Sequence, residues 1–215
     1  MGKIRRGILG GFSGKVGNVV GASWKGIAYM RALPLSVKNP RTLKQRTQRS
    51  RFLLATKVLK SLQSVIKSGW ALKAKGCSAF NAAMSYTVLS AIKGQYPNFS
   101  VDYSKVLIST GNLTGAKDYS TDGYDKMKSN VLWTNNSGTG SAKADDVALI
   151  AVFNPTKNEI VTPATKVLRS TASTTMLLPE HWDGDNAHVY LGFIAEDGKE
   201  IADSVYLGQY SVRNK

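Results

Sequence analysis

Apolar residues in the middle of the chain recur at helical spacing. The stripe repeats every four residues, at Leu54, Val58, Leu62 and Ile66. This period predicts an amphipathic helix, which begins at Pro40 with Asn39 as its N-cap and ends at Gly69. A second helix is predicted from Ser78 to Ile92, so that residues 37–95 form a basic helical hairpin with a short glycine-containing link.

The segment before these helices has a different pattern, in which glycines alternate with strand-forming residues. Eight of the chain's 20 glycines lie in the first 26 positions, and "KVGNVVGASWKGIAYMRAL" predicts two strands joined by a turn around Gly21 to Gly26. An isolated hairpin is marginally stable in water, so residues 1–36 are expected to pack against another chain. The candidate interface residues are Val16, Val20, Trp24, Ile27 and Tyr29.

Residues 96–215 contain short alternating or apolar runs that are typical of an all-β domain. They include "NVLWTNN", "DVALIAVFN", "TKVLRS", "TTMLLP" and "AHVYLGFIAE", separated by turn-forming residues. Seven or eight such strands indicate an immunoglobulin-like or fibronectin-like β-sandwich. The predicted fold class is therefore α+β, with three parts at 1–36, 37–95 and 96–215.

Charge changes this picture, because it is distributed unevenly along the chain. Residues 1–101 contain 18 Lys and Arg and no Asp or Glu, whereas the remainder contains 11 basic and all 14 acidic residues. The two parts carry net charges of +18 and −3. The first part is expected to meet an acidic partner, because so much like charge repels itself unless something neutralises it.

Five basic residues near the start of the first helix are the candidate partner-binding site. They are Arg41, Lys44, Arg46, Arg49 and Arg51. Cations in a first turn oppose the helix dipole, which indicates a functional need for positive charge there. The partner is nucleic acid, an anionic membrane or an acidic protein surface such as Asp145, Asp146, Asp183 or Asp185 of a neighbouring copy; the bland alternative is a solvated surface.

Motifs for enzymatic chemistry are weak. "GGFSGKVGNVVG" resembles a phosphate-binding loop, but its glycine spacing differs and Val16 stands where a hydroxyl residue is needed. "HWDGDNAH" brings His181, Asp183, Asp185 and His188 close in sequence, yet Asp and Asn serve turn geometry in such a segment. We expect no catalytic residue, metal, cofactor or small-molecule substrate.

The chain is expected to remain in the bacterial cytoplasm or in a virion or phage-like particle. It has one cysteine, Cys77, and no apolar run of the roughly 20 residues that span a bilayer. The N-terminus lacks the continuous apolar segment of a signal peptide. Membrane insertion and export are therefore not expected.

Three segments carry a resemblance that covers nearly the whole chain. They are "SGKVGNVVGASWKGIAYMRALP…NPRTLKQRTQRSRF", "SAFNAAMSYTVLSAIKGQYPNFSVDYSKVLISTGNL" and "VYLGFIAEDGKEIADSVYLG". Together they are similar to a family of uncharacterised proteins widespread in Bacteroidota and their phages. The "NPRT..Q..QR..F" segment is also similar to a pattern of phage structural gene clusters. The resemblance implies a bacterial or phage protein with a role in a particle or assembly.

The function expected from these observations is that of a non-enzymatic assembly subunit. It would form homo-oligomers or join other particle subunits through the N-terminal hairpin and the basic helix. The alternative is a nucleic-acid-binding protein without sequence specificity that uses the acid-free half.

Overall fold

The computed structural model describes residues 2–4, 10–36, 39–122 and 127–213. The chain divides into two compact units, Met1–Thr42 and Leu43–Lys215. The three-part division at 1–36, 37–95 and 96–215 stays a prediction. The α+β class is confirmed, because three α-helices accompany antiparallel strands in several sheets.

The N-terminal unit is a four-stranded sheet in which consecutive strands pair antiparallel. Its strands are β1 (Lys3–Ile4), β2 (Phe12–Val16), β3 (Val19–Trp24) and β4 (Ile27–Ala32). The turn predicted from Gly21 to Gly26 is confined to Lys25 and Gly26. Gly21 lies inside β3, because the β3–β4 pairing continues until Trp24 faces Ile27.

Three helices begin the second unit. They are α1 (Leu43–Ser61), α2 (Gln63–Gly69) and α3 (Ala79–Ser90). The first begins at Leu43 rather than Pro40; its first turn has no acidic residue, and nearby cations oppose the helix dipole. At α3, Ser78 is the N-cap, since its side chain accepts a hydrogen bond from the Asn81 backbone N–H at 3.1 Å.

Gly69 ends α2 as predicted, and the structure shows why a side chain is excluded there. A Cβ atom at this position would lie 2.8 Å from the Ser109 Cβ and would also clash with the Ile108 carbonyl oxygen. The Thr110 backbone N–H donates to the Gly69 carbonyl at 3.0 Å, which holds the two segments together. Close packing against residues 108–110 therefore requires glycine.

Gly69→Ala is expected to lower the free energy of unfolding by about 1–3 kcal/mol, because backbone atoms must move to admit the methyl group. Urea unfolding followed by circular dichroism measures the loss. Gly115→Ala is the matched control, since the nearest atom to its added Cβ is 3.8 Å away. Equal stability of the two variants would contradict the packing argument.

The rest of the second unit consists of antiparallel strands in three sheets. Strands β5 (Ile92–Gln95) and β6 (Asn98–Val101) pair with each other. The remaining strands are β7 (Lys117–Asp122), β8 (Lys128–Thr134), β9 (Val147–Asn154), β10 (Glu159–Val161), β11 (Ser173–Leu177), β12 (Asn186–Ile194) and β13 (Val205–Ser211). They form one sheet in the order β10-β9-β12-β13 and another in the order β11-β8-β7.

Strands β9 and β12 contribute to two separate hydrophobic cores, because alternate side chains point to opposite faces of a sheet. One face of β12, including Val189 and Leu191, joins the core shared with Trp133 of β8 and Met176 of β11. The other face, including Tyr190, joins the core built by the helices. Burial on both faces explains the nearly continuous apolar runs in these two strands.

The strand predicted from "TKVLRS" is wrong. In this segment Leu168 makes one isolated bridge to Val147, and residues 169–171 form a single 3-10 turn. The physical reason is Arg169, whose side chain is fully buried. A buried guanidinium requires several fixed acceptors, and the chain bends to bring it to them.

Candidate functional site

The N-terminal sheet separates the predicted interface residues onto its two faces. Cross-strand pairs place Val20 beside Arg31, Ala22 beside Tyr29 and Trp24 beside Ile27. Because side chains alternate along a strand, Val20, Trp24, Ile27 and Tyr29 share one side of the sheet, which we term the aromatic face. Four of the five predicted residues are thus brought together.

Val16 lies on the opposite face, because it pairs with Val19 rather than Val20. A pocket of about 330 Å³ lies on this opposite face. Its lining residues are Gly2, Ile4, Phe12, Val16, Val19 and Met30. The sheet therefore carries apolar side chains on both faces. Four of the five predicted interface residues lie on the aromatic face, and only Val16 lies on the opposite face.

Gly21 allows the Phe12 ring to pack closely on the opposite face of the sheet. A Cβ atom on Gly21 would lie 2.6 Å from the Phe12 ring, and Gly21 is the one fully buried residue among the described residues of this unit. Residues 1–36 are predicted to pack against another chain. At this position the close contact is internal, since the Phe12 ring packs over the strand at Gly21.

The large side chains of the aromatic face remain exposed to solvent. Trp24 is 52% exposed, Tyr29 46% and Ile27 71%. Soluble proteins rarely leave large apolar side chains in contiguous patches unless these meet another molecule. The aromatic face thus combines exposed apolar surface with Trp and Tyr, the residue types that dominate contacts between proteins.

The five predicted basic residues do not form one surface. They are Arg41, Lys44, Arg46, Arg49 and Arg51. Arg41 precedes α1, Lys44 and Arg46 are exposed on its first turns, and Arg49 borders a groove. Arg51 turns inward and donates from Nη2 to the Val88 carbonyl at 2.7 Å, where it caps the free carbonyls at the end of α3.

An apolar groove on α1 and α3 is a feature that sequence reasoning missed. It has a volume of about 590 Å³ and is lined by Gln48, Arg49, Phe52, Leu53, Thr56 and Val88. The signal was present in the sequence, because Phe52 and Leu53 fall outside the stripe of Leu54 and Val58. That stripe is confirmed as the side of α1 that packs inward.

One of the acidic residues considered as a partner for these cations is unsuitable. Asp146 is fully buried and accepts a hydrogen bond from Arg169 Nε at 3.0 Å, so it has no access to a neighbouring copy. Asp185 is largely buried and accepts from the Asn154 amide at 2.9 Å. Asp145 and Asp183 are exposed.

The two histidines of "HWDGDNAH" lie in different environments. His181 Nε2 is 2.7 Å from Glu159 Oε2, which also accepts from the Trp182 indole at 2.9 Å. The hydrogen bond from Trp182, followed by that from His181, lowers the pKa of the Glu159 carboxyl. His188 points into the helical core of the unit.

Across the described ranges, no three His, Cys, Asp or Glu side chains lie close enough together to bind a metal ion.

His188 is buried among tyrosines. Its ring stacks on Tyr103 with centroids 4.1 Å apart, and its Nδ1 lies 2.8 Å from the Tyr206 hydroxyl. Burial lowers the pKa of His188 from 6.5 to about 4, because the charged imidazolium would lose its hydration. The neutral imidazole is therefore the form that the fold accommodates.

This burial predicts an acid-sensitive fold. The folded pKa lies below the unfolded value, so the contribution is complete above pH 6.5 and is lost as the pH falls toward 4. The loss reaches about 3 kcal/mol in the free energy of unfolding. Urea titrations at several pH values should show a smaller loss for His188→Gln than for the native chain. Lys128→Gln is the control, because it changes an exposed side chain on β8 and should leave the native dependence unchanged.

None of the described helices is sufficiently long and apolar to cross a membrane.

The sequence itself places these features in a known family. Residues 11–208 match the family of unknown function DUF6266, and the match includes strands β2 to β4 of the N-terminal sheet and most of the second unit. No curated protein matches the sequence. The chain thus belongs to the DUF6266 family.

Proposed function

We propose that this chain is a non-enzymatic structural subunit of a phage-like particle or polymer. It contacts neighbouring subunits through the aromatic face of the N-terminal sheet and through the basic start of α1. The observation that carries the proposal is the exposure of Trp24, Ile27 and Tyr29 together on one face of a sheet that has little core of its own.

The N-terminal sheet would be stabilised by contact with another subunit. A small sheet that leaves both faces exposed gains little from hydrophobic burial, and further packing would stabilise it. Covering the aromatic face with a second chain buries Trp24 and Tyr29, while the neighbouring Lys15 and Arg31 stay at the rim. An apolar centre with a polar rim is the usual anatomy of protein interfaces.

The remaining parts of the proposal have separate support. The phage-like setting is supported by the similarity of "NPRT..Q..QR..F" to phage structural gene clusters. The immunoglobulin-like or fibronectin-like sandwich proposed for residues 96–215 is supported by two antiparallel sheets that contribute to one hydrophobic core. In this proposal the second unit is the scaffold and the N-terminal sheet is the connecting element.

A second candidate function is nucleic-acid binding without sequence specificity. It is favoured by the net charge of +18 over residues 1–101, which contain no carboxylate to oppose it. Lys44 and Arg46 are exposed at the start of α1 and are available for phosphate contacts. Arg51 caps α3, so four of the five predicted cations remain for phosphates and would give a log–log salt slope of roughly −3 to −4.

Light scattering of the full chain over a wide concentration range tests the main proposal. The expected result is a mass that grows with concentration. A monomer at every concentration would contradict it. Titration of a duplex and a single strand at several salt concentrations tests the second candidate, and steep salt dependence in a chain that stays monomeric would favour nucleic-acid binding over assembly.

A further inference from the structure

The groove between α1 and α3 is distinct from the aromatic face and belongs wholly to the second unit. Phe52 is 55% exposed and Leu53 70% exposed, although both lie in the middle of the longest helix. Val88 of α3 forms the other wall. The groove thus presents apolar surface to solvent at a position where the helices are well packed beneath it.

The helix geometry shows that this exposure is not a by-product of core packing. Ala55, Val58 and Leu59 form the buried side of α1. Phe52 precedes Ala55 by three residues and Leu59 by seven, so it lies at the edge of that side, and Leu53 points further away. Burial within this chain does not account for a leucine at this position, because Leu53 is 70% exposed.

The charged residues of the two helices that form the groove have one sign. Helix α1 contains six Lys and Arg residues and α3 contains no charged residue, so neither wall carries a carboxylate. Arg49 is one of the lining residues. A ligand of this groove gains from negative charge at its edge and from apolar side chains at its centre.

Two alternative occupants fit less well. Nucleic acid matches the charge, but its backbone has no apolar groups for a groove formed mainly by Phe52, Leu53 and Val88. A second copy matches poorly as well, because residues 1–101 contain no carboxylate, and among described residues after 101 the exposed large apolar side chains are Tyr119, Leu132 and Leu177. The cross-strand neighbours of the two leucines in the β8–β11 pair are Ser173 and Lys128, rather than carboxylates.

We propose that the α1–α3 groove binds an acidic amphipathic segment of a different protein. Apolar side chains of that segment enter between Phe52, Leu53 and Val88, and its carboxylates meet Arg49 and the exposed cations of α1. Helices that dock in grooves of this kind present apolar anchors at every third or fourth residue. The inference does not depend on self-association through the N-terminal sheet.

Fluorescence anisotropy of the full chain tests the proposal. The probe is a fluorescein-labelled acidic peptide with leucines at helical spacing and glutamates on its other faces, beside a scrambled peptide of the same composition. The amphipathic peptide is expected to bind about 10-fold or more tightly than the scrambled one. Leu53→Ser should weaken its binding by about 10-fold or more, as for an anchor residue.

Leu177→Ser is the matched control, because Leu177 is 71% exposed, nearly as Leu53 is, but lies on β11. It should leave peptide binding unchanged. Equal affinities for the two peptides, or equal losses in the two variants, would overturn the proposal, as would failure of the amphipathic peptide to bind. Competition by a single-stranded oligonucleotide that is insensitive to Leu53→Ser would assign the surface to nucleic acid instead. Native oligomer size, measured in parallel, reports on the proposed assembly function separately.

Discussion

Replacing the buried arginine, Arg169→Met, is expected to lower the free energy of unfolding by about 3–5 kcal/mol. Arg169 Nε donates to Asp146 Oδ2 at 3.0 Å, and Nη1 donates to the Asn136 side chain at 2.7 Å. The backbone carbonyls of Thr114 and Gly115 accept from the same guanidinium. Removing it leaves the Asp146 carboxylate buried without its countercharge.

The measurement is urea unfolding of the native chain and the variant. Lys166→Met is the matched control, because Lys166 Nζ lies 2.7 Å from Glu196 Oε1 but both side chains are about half exposed. That exposed pair should contribute less than about 1 kcal/mol despite its shorter distance. Similar losses in the two variants would show that burial does not set the strength of the Arg169–Asp146 pair.

Replacing both aromatic anchors, Trp24→Ala with Tyr29→Ala, is expected to weaken self-association by about 100-fold or more. Central interface aromatics commonly cost 2 kcal/mol or more each when truncated, and each 1.4 kcal/mol is tenfold in affinity. Both side chains are exposed in the structure, so the fold of the second unit should be unaffected. Sedimentation velocity over a concentration series measures the association constant.

Two single variants identify the interface. Leu35→Ala tests a side chain that is 95% exposed outside the strands, and it should leave association unchanged. Met30→Ala tests the opposite face of the sheet, where Met30 lies with Val16. If Met30→Ala abolished association and the aromatic variant did not, the interface would lie on the opposite face, and the predicted site would be wrong.

Periodicity in the sequence predicts the buried side of the helices well, because residues in neighbouring turns form it, but it does not predict the break at Leu62 that divides the first helix into α1 and α2. The stripe from Val58 to Ile66 is buried, and Ser78 caps α3. The same reasoning misplaces Val16. Val16 and Val20 would share a face in one continuous strand, but the turn at residues 17–18 reverses the chain and makes Val19 the partner of Val16.

Contacts between distant segments explain the other differences. Asp146 precedes a strand and has the pattern of a solvated turn, yet its partner Arg169 lies 23 residues further along the chain. The groove at Phe52 and Leu53 depends on where α3 crosses α1, which single-chain periodicity does not specify. Tertiary structure therefore determines both the burial of Asp146 and the exposure of Phe52 and Leu53.

The two-faced burial of β12 has a consequence for synthesis of the protein. The apolar sides of the helices are complete once Ser90 has been made, but their core also contains Phe153 and Tyr190. Tyr190 is translated 100 residues after Ser90. At about 5–20 residues per second, the nascent helices therefore wait roughly 5–20 s for their covering strand. During that interval the apolar sides of the helices are uncovered, which makes the nascent chain prone to aggregation and a target for a ribosome-associated chaperone.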